Sequence, residues 1–69
     1  MTNAARLLRD CIKSYEAFRD NAAARLKTEQ RHGQPSLKKV ARHQRAVSWY
    51  THLIAQTQDQ LAEIEQTAH

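Results

Sequence analysis

One glycine and one proline stand in the whole chain, and they stand close together, at Gly33 and Pro35. These are the two residues that most readily interrupt regular structure, so a 69-residue chain holding them only at its midpoint has one place to turn. Both arms are too long for strands and carry apolar residues at helical spacing. The chain therefore reads as all-α, an antiparallel two-helix hairpin in a single domain over residues 1–69. The first helix is expected over 3–32, the turn over 33–35 and the second helix over 36–67.

In the second arm an apolar residue returns every seven positions, at Val40, Val47, Ile54, Leu61 and Ala68. Three places after the first four of these come His43, Tyr50, Thr57 and Ile64, which gives a heptad with a clean a line and a more polar d line. The apolar face of the first arm reads Ala4, Leu8, Cys11, Tyr15, Phe18, Ala22 and Leu26, thickened by Leu7 and Ile12. Its outward face carries Arg6, Arg9, Lys13, Glu16, Asp20 and Lys27, an ordinary solvated mixture. Thr2 or Asn3 can cap the start of this helix, and Gly33 offers a left-handed residue after its end. The second helix begins with Pro35 in its first turn or with Ser36 as its cap.

A domain of this size buries only about 60% of the surface that its unfolded chain exposes, so a monomer is marginal. Small scaffolds add disulfides, a metal or a second copy, and the lone Cys11 excludes an internal disulfide. Each helix has an apolar stripe wider than one neighbour covers. A homodimer, two hairpins closing into a four-helix bundle, answers both problems. Its core is expected from Leu8, Cys11, Tyr15, Phe18, Val40, Val47, Ile54, Leu61 and Ile64. Cys11 is expected there as a small buried hydrophobe rather than a reactive thiol.

The formal net charge of +4 is unevenly placed: residues 25–45 hold seven Lys or Arg against Glu29 alone, which leaves the rest about −2. Folded as a hairpin, the rod has a basic tip and a weakly acidic end near Asp59, Glu63 and Glu65. Antiparallel pairing of two copies keeps the basic tips apart. The opening MTNAARLLRDC has no apolar run long enough for a signal peptide or a membrane span, so a cytoplasmic protein with no membrane partner is expected.

No chemistry of catalysis is legible. A phosphate-cradling loop needs more than one glycine, no nucleophile elbow or CxxC is present, and two helices build no pocket around Asp10, Glu16 and Asp20. His32, His43, His52 and His69 lack the three- or four-residue spacing of a helical metal site, so neither metal nor cofactor is expected. The feature that does stand out is Trp49, at position c of the heptad and off the seam. Ala46 and Leu53 lie within a turn of it, and Tyr50, Arg42 and Arg45 are close by. Trp, Tyr and Arg dominate interface hot spots, so these six residues are the candidate partner-binding patch; Trp49 closing the edge of a dimer core is the other reading.

In its length, its opening MTNAARLLRD, its RHGQPS turn and its SWYTHLI segment, the chain resembles the small quorum-sensing anti-activators that phages make early in infection of Pseudomonas. The resemblance implies a helical dimer that binds a LuxR-type transcriptional activator near its DNA-binding domain and keeps it from DNA. It also implies inhibition of the ATPase that drives type IV pilus assembly. A basic chain does not imitate DNA, so such an inhibitor has to cover its target with apolar and Arg contacts. Two other readings stand beside it. The basic tip suits direct nucleic-acid binding, less well because no series of exposed aromatics accompanies it. Arg31-His32-Gly33 also resembles the turn of the paired-helix co-chaperones of type III secretion, which bind a needle subunit.

Overall fold

A computed structural model of the protein describes residues 3–67, and Thr2, Ala68 and His69 of the sequence reading lie outside them. The chain is an all-helical hairpin of α1, Asn3–Arg31, and α2, Leu37–Thr67, packed along their length into a rod of 55 × 14 × 12 Å. At about 1.5 Å per residue each helix accounts for most of the long dimension.

The contact face of α2 follows the heptad. Val40, His43, Val47, Tyr50, Ile54, Thr57, Leu61 and Ile64 are all partly or fully buried, with Ile54 at 6% and Thr57 at 8% exposure the deepest. A buried threonine needs a partner for its hydroxyl, and Thr57 donates to the Leu53 carbonyl at 2.7 Å. Thr57 is therefore satisfied within its own helix.

The register of α1 differs from the expected one. Its buried residues are Ala5, Ile12 and Ala22, with Leu8, Tyr15, Arg19, Leu26 and Glu29 half-buried beside them. Cys11 and Phe18, expected in the packed face, are exposed in the hairpin, as is Ala4. The reason is that α1 has two neighbouring apolar lines: Ala5, Ile12 and Leu26 on one, Ala4, Cys11 and Phe18 on the next. A single neighbouring helix covers one stripe, and the line with two large aliphatic residues takes it. Arg19 interrupts that line at little cost, because its long stem packs while its guanidinium reaches the Asp20 carboxylate at 3.2 Å.

The turn also departs from expectation. None of the described residues, Gly33 included, has positive φ, so the glycine is not a left-handed cap. Instead α1 tightens at its end, where the His32 N–H donates to the Glu29 carbonyl at 3.3 Å. Ser36 then caps α2: its hydroxyl accepts from the Lys39 N–H at 3.4 Å and its carbonyl from the Val40 N–H at 2.9 Å. In a capping box the third residue of the new helix would be acidic and would accept the cap's own N–H. Here that residue is Lys39, and Glu29 of α1 accepts the Ser36 N–H at 3.0 Å. One carboxylate thus ties the two helices across the turn.

Candidate partner-binding face

Packing through one line on each helix leaves two long flanks. The front flank is formed by Ala4, Leu7, Cys11, Phe18 and Arg25 of α1 beside Lys39, Arg42, Ala46, Trp49, Leu53 and Gln60 of α2. Shallow grooves bring part of it together, one lined by Phe18, Asn21, Arg25, Arg42, Ala46 and Tyr50, another by Ala4, Leu7, Leu8, Gln60, Glu63 and Ile64. Helical spacing puts Cys11 on the line of Ala4 and Phe18, Trp49 on that of Arg42, and Lys39 and Leu53 on that of Ala46 and Gln60. Three large apolar side chains stand out from it, Leu7 at 63%, Phe18 at 52% and Trp49 at 58% exposure. A fourth, Leu37, opens α2 beside the turn.

The back flank is polar. Arg9 of α1 forms an ion pair with Glu65 of α2 there, between side chains that are 42% and 49% exposed. Lys13, Gln44, Ser48, Thr51 and Gln58 continue the same side, and the Thr51 hydroxyl donates to the Val47 carbonyl at 2.7 Å.

The candidate residues divide between seam and flank. Leu8, Tyr15, Val40, Val47, Ile54, Leu61 and Ile64, expected in a dimer core, line the seam within one hairpin, while Cys11 and Phe18 lie on the front flank. Of the partner-binding candidates, Arg42, Ala46, Trp49 and Leu53 share the front flank. Tyr50 sits where the seam meets the front flank, its half-buried ring stacking on Phe18 of the flank at 5.5 Å and meeting Tyr15 of the seam at 6.4 Å. Arg45 points elsewhere: it sits on the outer side of α2 and its Nε–H donates back to the Ala41 carbonyl at 3.4 Å. Trp49 leans on the His52 ring at 6.3 Å and 37°.

The front flank therefore gathers an aromatic and aliphatic centre, Phe18, Trp49, Ala46 and Leu53, with Arg25, Lys39 and Arg42 at its tip end. Phe18 and Arg25 on α1 belong to this surface and were not among the binding candidates. Their signal in the sequence is the seven-residue step Cys11, Phe18, Arg25, one position before Ile12, Arg19, Leu26. Among the described residues no three His, Cys, Asp or Glu side chains come together as a metal site, and no helix is long and apolar enough to cross a membrane. Comparison with protein-family models, with curated proteins and with solved structures found no match.

Proposed function

We propose that this protein is a non-enzymatic inhibitor that acts by covering a surface of another protein. The observation that carries this reading is Trp49, more than half exposed on the front flank between Ala46 and Leu53. A small helical protein gains nothing in stability from an indole held in water, whereas docking buries it; Trp and Arg are the side chains that carry most binding energy when desolvated. Arg42, on the same flank and without an acidic partner among the described residues, adds a directional contact for a carboxylate on the target.

The target is a LuxR-type transcriptional activator, bound so that it no longer reaches its DNA, and a type IV pilus assembly ATPase is a second target. The resemblance supports these identities, and the exposed apolar flank supports the mode. Two hairpins pair into a four-helix bundle through the α1 side of the front flank, where Leu7, Cys11 and Phe18 are uncovered, and the α2 side around Trp49 takes the partner. Such pairing adds the core that a lone hairpin of this size lacks.

The test is a DNA-binding assay of the purified activator on its promoter. Excess protein should abolish the complex, and Trp49→Ala should restore it while light scattering still reads the mass of a dimer. Activator that stays on DNA with the protein in excess removes the reading. Unchanged ATP hydrolysis by the pilus ATPase removes the second target, and a monomer mass removes the bundle.

A further inference from the structure

The tip end of the front flank holds a second feature, which shares only Arg42 with the contacts proposed above for the target. Where α1 ends and α2 begins, a groove is lined by Arg25, Thr28, Glu29, Lys39, Arg42 and His43. Among the described residues neither Arg25, Lys39 nor Arg42 forms an ion pair; the ion pairs that do form are Arg9 with Glu65 and Arg19 with Asp20. Glu29, the one acid in the groove, already accepts the Ser36 N–H. Three cations thus share a cleft with a single carboxylate, an excess of two formal positive charges from the Arg, Lys and Glu side chains.

We propose that this groove is a binding site for a phosphomonoester or an inorganic phosphate dianion. The charge balance selects it: such a group carries about −1.5 to −2 near neutral pH and offers three acceptor oxygens, whereas one carboxylate or one phosphodiester supplies a single negative charge. The donors fit the acceptors. Arg25 and Arg42 each present a planar fork suited to two oxygens, Lys39 adds a point charge, and the Thr28 hydroxyl is a further donor, although it now bonds the Ala24 carbonyl at 3.1 Å. Binding there also relieves repulsion between cations drawn from both helices, so it tightens the hairpin at the turn.

The experiment follows backbone amides of the full chain by nuclear magnetic resonance at pH 7.5, as inorganic phosphate replaces chloride at constant ionic strength. Saturable shifts should be confined to residues 24–29 and 39–43, and the melting temperature read by circular dichroism should rise with phosphate. Arg25→Gln and Arg42→Gln should each weaken binding about tenfold, the expected size of one lost charge-assisted contact. Arg6→Gln, outside the groove, should leave it unchanged. Both groove arginines are exposed, so the variants should keep the parent's helical signal; Lys39→Gln repeats the test should either unfold. Phosphate and chloride acting alike, or Arg6→Gln weakening binding as much as the groove variants, would reduce the tip to a diffuse positive field and overturn the site. A short oligothymidylate binding more tightly per phosphate than inorganic phosphate, with a steep salt dependence, would overturn it in favour of a surface that tracks nucleic-acid diesters.

Discussion

The two flanks of the hairpin are built on the same seam and made from the same two helices, yet one is closed and the other open. On the back, polar side chains reach solvent, and Arg9 and Glu65 satisfy each other across the helices. On the front, Leu7, Phe18 and Trp49 meet water, and the cations at the tip end have no acidic partners among the described residues. Nothing in hairpin formation requires this asymmetry, since the seam would close equally well with polar side chains on both sides. The difference teaches that the second apolar line of α1 and the indole of α2 are surplus to the intramolecular fold. Surplus apolar surface on one side of a small rod is the feature on which the proposed docking rests.

The largest effect should come from breaking what the two flanks share. Ile54→Ala opens a cavity in the seam and should cost about 2 to 4 kcal/mol in urea unfolding, a large part of the stability of so small a domain. It should disable both flanks together, and a loss confined to partner binding would contradict the seam as described. Trp49→Ala tests the front alone. Partner affinity should fall by a factor of about thirty or more, the consequence of losing a hot spot worth about 2 kcal/mol, while the urea midpoint barely moves. If it instead melts a dimer, the ring belongs to that core and the front has to be redrawn.

At the turn, where the flanks meet, Glu29→Ala removes the acceptor of the Ser36 N–H and should destabilise the hairpin by about 1 kcal/mol. An unchanged midpoint would mean that water replaces the carboxylate fully. The smallest effect belongs to the back. Arg9→Ala should cost no more than about 0.5 kcal/mol, because both partners are more than a third exposed and solvent screens the pair, and the cost should fade in high salt. A larger, salt-insensitive loss would show that the back is also structurally committed.

Much of this architecture is legible in the residues alone. Gly33 and Pro35 locate the turn, and the returns of Val40, Val47, Ile54 and Leu61 fix the face that α2 turns inward. Those signals are local: a helix repeats every 3.6 residues whatever it packs against, so its apolar line can be read without knowing its neighbour. The front flank is less legible, because α1 carries two adjacent apolar lines and periodicity weighs them alike.

What the sequence determined by itself is a pair of helices, the place where they join, the inward face of α2 and the concentration of positive charge around the turn. Only the tertiary structure decided which line of α1 is buried. Turning α1 about its axis toward the line one residue earlier, up to about 100° away, would cover Cys11 and Phe18 and expose Ile12. Packing of Ile12 and Leu26 against α2, with Arg9 held to Glu65 on the far side, sets the rotation that is observed. The tie from Glu29 of α1 to the Ser36 N–H and the convergence of Arg25, Lys39 and Arg42 on one groove were likewise decided there. Each depends on the relative placement of two helices, a property of contacts between residues far apart in the chain that no local pattern encodes.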